Sequence, residues 1–98
     1  MQLAKVTGQL VSTVKEPGLS NFKILLVQDV DPASPEDSAS AASYFAVDLV
    51  GAGEGEVVVV ASGSAARVPE ASRQTATDSA VVAIVDSVTV GGQTTFKK

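Results

Sequence analysis

This sequence predicts an all-β fold: a small barrel of five or six short strands with one short helix. Three observations carry the prediction. Apolar residues near the start recur with period two, as in a half-buried strand. Later apolar runs, such as Val57–Val60 and Ala80–Val85, are short and rich in β-branched residues. Glycine and proline clusters separate them, as turns do between strands. A length of 98 residues fits one domain over 1–98.

The elements follow in order. Over residues 3–15 the even positions Ala4, Val6, Gly8, Leu10, Ser12 and Val14 form a small, mainly apolar face, opposite Lys5, Thr7, Gln9, Val11, Thr13 and Lys15. Gly8 weakens the middle of this strand and marks a bend, a bulge or a close backbone approach. Lys15-Glu16-Pro17-Gly18 is a turn: proline presets φ and glycine supplies the left-handed conformation. Phe22–Val30 is the second strand. It is apolar on both faces over Ile24–Val27, which fits a central strand or one with a face on a neighbouring subunit. Residues 31–43, with two prolines and several serines, read as a surface loop. Tyr44–Val50 returns as a strand, Gly51–Glu56 is a tight glycine-rich connection, and Val57–Ala61 is a buried strand. In Ser62-Gly63-Ser64-Ala65-Ala66-Arg67 either serine can cap a short helix that Pro69 stops. Ala80–Val88 is a further buried strand, and Thr89–Phe96 reads as a strand end, a Gly-Gly turn and a return strand. Kinked at Gly8, the set points to a barrel of the oligonucleotide/oligosaccharide-binding type.

Composition removes several functions. The chain has neither cysteine nor histidine, which takes away disulfides, thiolate metal sites and the commonest general base. Seven basic residues stand against eleven acidic ones, a net charge of −4. A nucleic-acid partner is disfavoured by that field, and four aromatic residues are a thin supply for base stacking. No apolar run reaches the roughly 20 residues of a membrane helix. Residues 1–8 lack the basic-then-apolar layout of a signal peptide, so a cytoplasmic location is expected.

The candidate sites divide between chemistry and structure. Asp29 with Asp31, and Glu54 with Glu56, are paired acids that could hold a hard cation or do acid–base work, or are solvated loop charges. Gly51-x-Gly53-x-Gly55 lacks the helix and the lysine of a phosphate loop. Its glycines form a tight turn, or let backbones from several subunits crowd together. Ser62-Gly63-Ser64 lacks the second glycine of a nucleophile elbow and any histidine to activate a serine. Arg67 is an intersubunit contact or an exposed side chain, and Lys15 and Glu16 form at most a weak surface pair. These residues give no enzyme and require no cofactor or metal.

Several stretches match a known family in order: Ala4–Gly8, Val11–Pro17, Ala46–Val58, Ala61–Arg67 and Asp78–Val88. The sequence resembles the small shell proteins that cap the vertices of bacterial microcompartments, of the carboxysome and ethanolamine-utilisation types. Its most specific features are the Gly-Ala-Gly-x-Gly-Glu loop at 51–56 and Ser-Gly-Ser-Ala-Ala-Arg at 62–67. The resemblance implies a five-stranded barrel with a short helix, assembled as a cyclic homopentamer with a narrow central opening. It implies hexameric shell proteins as partners, a place in the microcompartment shell in the cytoplasm, and no chemistry of the chain's own. Gly51, Ala52, Gly53, Gly55 and Glu56 in one segment, and Gly63, Ser64, Ala65 and Arg67 in another, become candidates for the subunit interface or the central opening. Lys15 and Glu16 become candidates for the rim. A binding barrel for single-stranded nucleic acid is the competing reading, and a small hydrolase or metal-dependent enzyme a third.

Overall fold

The computed structural model describes residues 1–11, 22–36, 42–63 and 78–98. Seven strands run in order: β1 Gln2–Leu10, β2 Lys23–Asp29, β3 Ser43–Asp48, β4 Val57–Ser62, β5 Ser79–Ile84, β6 Ser87–Val90 and β7 Gln93–Lys97. The first five close into a barrel in the order β1-β2-β3-β5-β4, and β6 and β7 form a separate two-stranded sheet. Neighbours in the barrel are antiparallel except β3 and β5, which pair in parallel at only two positions, Val47 with Ala80 and Asp48 with Val81. The expected five-stranded barrel is therefore present. No α-helix occurs among the described residues; of the helical turn expected over Ser62–Arg67, Ser62 ends β4 and residues 64–67 lie outside them.

Alternation along each strand fills the barrel. Ala4 and Val6 from β1, Leu25 and Val27 from β2, Ala46 from β3, Val58 and Val60 from β4 and Val81 from β5 form the core, with Tyr44 and Ile84 packed against it. The residues are small because five strands leave a narrow interior that side chains must fill without voids. Leu25 is the largest of the fully buried side chains. Burying a leucine of this kind contributes about 1.5–3 kcal/mol.

One irregularity reverses part of the pattern read from the sequence. Val6 pairs with Val27, but Gly8 pairs with Leu26, so Thr7 is an extra residue in β1. A bulge of one residue shifts the period of two by one, which exchanges inner and outer faces. Ala4 and Val6 point inward as expected. Leu10, assigned by simple alternation to the same face, points outward and is 40% exposed. Gly8 does mark a bulge, one of the three outcomes foreseen for it.

Two strand boundaries also differ from expectation. The strand expected over Tyr44–Val50 ends at Asp48, because the Asp48 side chain captures the backbone N–H groups of Val50, Gly51 and Ala52. The single strand expected over Ala80–Val88 is broken at Val85 and Asp86. There the Val85 N–H donates to Val57 O, and the Asp86 carbonyl accepts from the Lys98 N–H. The chain thereby leaves the barrel and starts the hairpin, whose Gly91-Gly92 turn has both residues at positive φ.

Candidate functional site

The glycine-rich connection between β3 and β4 is built by two carboxylates of its own chain. Asp48 is 7% exposed. Its Oδ1 accepts from the N–H groups of Val50, Gly51 and Ala52 at 3.1, 3.1 and 3.2 Å. Such a fan of donors stabilises a buried anion and fixes the chain that supplies them. Lys23 on β2 completes this end: its Nζ lies 3.7 Å from Asp48 Oδ2 and donates to Ala52 O at 3.0 Å.

Glu56 holds the other end of the loop. Its Oε1 accepts from the Gly53 N–H at 2.7 Å, and its Oε2 accepts from Lys98 Nζ, also at 2.7 Å. The Gly55 N–H donates to Val6 O, and the Val6 N–H donates back to Glu56 O. Gly51 and Gly55 have φ of 77° and 90°, a region that side chains other than glycine rarely adopt. The turn reading of these glycines accounts for both conformations within one chain. The Lys98 ammonium, and then the Gly53 N–H, hold the Glu56 carboxyl below its usual range; Glu56 in turn raises the Lys98 ammonium above its own.

At the opposite end of the barrel a second polar string joins four strands. Ser62 Oγ donates to Gln2 Oε1 at 3.1 Å, and Gln2 Nε2 donates to Asp29 Oδ2 at 3.3 Å. Tyr44 donates to Asp29 Oδ1 at 2.6 Å. Burial, followed by the hydrogen bond and charge of Asp29, pushes the Tyr44 phenol well above its ordinary value. Gln2, Asp29, Tyr44 and Ser62 line a groove of about 580 Å³ together with Phe45 and Asp78. Among the described residues, no buried side-chain nitrogen or oxygen lacks a hydrogen-bond partner. The polar groups are spent on holding strands together.

The residues singled out in the sequence thus fall in separate places. Gly51, Ala52, Gly53, Gly55 and Glu56 sit together at the end of the barrel where β4 begins. Gly63 follows β4 at the other end, with φ of 62° and its N–H donating to Asp78 O at 2.7 Å. Six residues of strand separate the two segments, about 20 Å. Ser64, Ala65 and Arg67, like Lys15 and Glu16, lie outside the described residues. Neither acid pair acts as a pair. Asp29 serves Tyr44 and Gln2, Asp31 accepts from the Ala33 N–H, and Glu54 is exposed while Glu56 is engaged in the loop. Sequence reading missed Asp48 and Lys23. The available signal was an aspartate just ahead of a glycine-rich turn, where its carboxylate reaches the following N–H groups.

The family model described as ethanolamine utilisation protein EutN/carboxysome matches residues 1–86. The chain is 45% identical over 98 residues to the bacterial microcompartment shell vertex protein EutN of Escherichia coli K12, covering all of both chains. It is 41% identical over 98 residues to the carboxysome shell vertex protein CcmL of Synechococcus elongatus, covering all of this chain and 96% of that one. Among solved structures, the GrpN pentameric microcompartment shell protein of Rhodospirillum rubrum superposes with a TM-score of 0.75 at 42% identity. That match covers 92% of this chain and 98% of the other.

Two outcomes follow from the loop geometry. Asp48→Ala strips three N–H groups of their acceptor and lowers the unfolding free energy by on the order of 3 kcal/mol. Asp48→Asn, which keeps an acceptor oxygen, loses less; equal losses in urea titrations would contradict the role given to Oδ1. The Glu56–Lys98 pair has a pH window with a definite sign. Glu56 has a lowered folded value, so its contribution is complete above the ordinary 4.5 and is lost as pH falls through that lowered value. Lys98 has a raised folded value, so its contribution is complete below the ordinary 10.5 and is lost as pH rises beyond it. Glu56→Gln should therefore flatten part of the acid limb of the stability–pH curve, and an unchanged acid limb would remove the pair from the account.

Proposed function

The chain belongs to the family of ethanolamine-utilisation and carboxysome shell vertex proteins, and we propose that it seals the vertices of a polyhedral microcompartment shell in the bacterial cytoplasm, as a homopentamer set among hexameric shell proteins. The observation that carries this reading is the similarity to named shell vertex proteins along the whole chain, with a closed barrel as its fold. The role is structural, and the chain is not an enzyme. Its mechanism is geometric. A flat hexagonal lattice of hexamers cannot close, and five-fold positions supply the curvature that it lacks. A ring of heterologous contacts stops at five when each contact turns the next subunit by one fifth of a circle.

The bonding within the Gly51–Glu56 loop supports a division of labour between the two candidate segments. The Gly51–Glu56 loop has its conformation set by Asp48, Lys23 and Lys98 of the same chain, and it needs no neighbour to explain its glycines. That leaves the segment opening at Gly63, with Ser64, Ala65 and Arg67, for the central opening. Lys15 and Glu16 are assigned to the rim that meets hexamers.

Co-expression with the hexameric shell proteins of a microcompartment tests the role. Electron microscopy should show closed polyhedra when the chain is present and open tubes or unsealed shells when it is absent. Lys15→Glu should leave the ring intact but give open or elongated shells. Shells that close equally well without the chain would contradict vertex sealing, and closed shells with Lys15→Glu would remove Lys15 from the rim.

A further inference from the structure

The outer face of β1, β2 and β3 is apolar over one half. Gly8, Leu26 and Phe45 stand in one cross-strand row, and Leu10 and Ile24 in the next row along the strands. The bulge at Thr7 is what turns Leu10 to this side. Phe45 is 53% exposed and Leu10 40%, while Ile24 and Leu26 are half-buried. Gly8 carries no side chain and leaves the row flat. The other half of the same face is polar, with Lys5, Gln28 and Ser43 in a row. A lone exposed leucine means little, but a contiguous apolar group bounded by a polar row marks a contact surface.

A second uncovered feature leaves the barrel elsewhere. The β6–β7 hairpin continues from β5, and Val85 anchors its base to β4. In the barrel order, β4 and β5 are the strands furthest from β2. The hairpin is held to the rest by Thr95 Oγ1 donating to Pro32 O at 2.6 Å and by Lys98 donating to Glu56. Among the described residues, no barrel strand pairs with either of its outer edges. A two-stranded hairpin is marginal on its own in water. Residues 87–96 also carry no charge, in a chain that is 18% charged. Val88 and Phe96 are half-buried toward the molecule, whereas Val90 near the tip is 41% exposed. Depletion of charge about an apolar tip is the composition of an interface core, not of a solvated arm.

We propose that the apolar half of the β1–β2–β3 outer face receives the β6–β7 hairpin of the next copy of this chain, with Val90 set near Phe45. The inference rests on the ring assembly proposed above and adds which surfaces form it. A closed ring of identical subunits requires two different, complementary patches on each subunit. The apolar half of the β1–β2–β3 face and the hairpin are different, uncharged and based on different walls. One covers the other around the ring, and every copy contributes one of each. The apolar stretch Ile24–Val27 then has both faces explained: Leu25 and Val27 fill the barrel, and Ile24 and Leu26 meet the neighbour.

The absence of cysteine from the chain makes the pairing directly testable. A variant carrying both Phe45→Cys and Val90→Cys, treated with a short bis-maleimide, should give a ladder of linked subunits that ends at five. Each single variant should give no ladder. Phe45→Asp and Val90→Asp should each shift the sedimenting species from the ring toward monomer, with far-ultraviolet circular dichroism unchanged. A wild-type ring that survives both aspartate substitutions, with no ladder from the double-cysteine variant, would overturn this pairing while leaving the ring assembly standing. A wild type that sediments only as monomer would overturn the assembly and this inference together.

Discussion

The barrel depends on a seam two residue pairs long. Four of its five junctions are antiparallel ladders, but β3 meets β5 only through Val47 with Ala80 and Asp48 with Val81. Without that junction the sheet stays open and leaves two edges to solvent, a state prone to pairing with other chains. Asp48 stands in the seam and at the head of the glycine loop at once. Its backbone pairs with Val81, its carboxylate ends β3 by capturing three N–H groups, and the Leu49 N–H then donates to Val81 O at 3.2 Å. Strand termination, loop shape and barrel closure are thus one event. The position of β4, and with it the exit of the hairpin over Glu56, follows from that loop.

A second constraint is size. A chain of this length buries only about 60–65% of the surface that it exposes when unfolded. Its interior here is valine, alanine and one leucine, with few large side chains. Among the described residues, apolar area that a larger domain would cover with its own helices stays on the outer face of β2 and on the hairpin. Assembly, as proposed above, covers it. In a protein whose role is to occupy one position in a shell, the small core and the need for neighbours are two aspects of the same economy.

Much of this was legible in the residues. Period two found the first strand, β-branched runs found β4 and the start of β5, and Gly91-Gly92 found the hairpin turn. The bulge at Thr7 was not legible, because Gly8 signals an irregularity without saying which neighbour is the extra residue. That one residue decides whether Leu10 is core or contact. The break at Asp86 was hidden within an apolar stretch, although Asp86-Ser87 is its only polar pair. Asp48 was overlooked because a single aspartate within a strand pattern looks like one more polar position. Its role appears only when the following N–H groups turn toward it. The family resemblance singled out the glycine segment and the Ser-Gly-Ser segment, but spacing alone could not place Gly51–Glu56 and Gly63 at opposite ends of the barrel.

The central claim is that this barrel completes itself as a ring of five. Native mass spectrometry of the purified chain addresses it most directly. With a subunit of 9.9 kDa, the account predicts a dominant species near five times that mass, which dissociates by loss of single subunits. A monomer or dimer at every concentration would contradict it, and would leave the outer face of β2 and the hairpin without the neighbour that this account gives them.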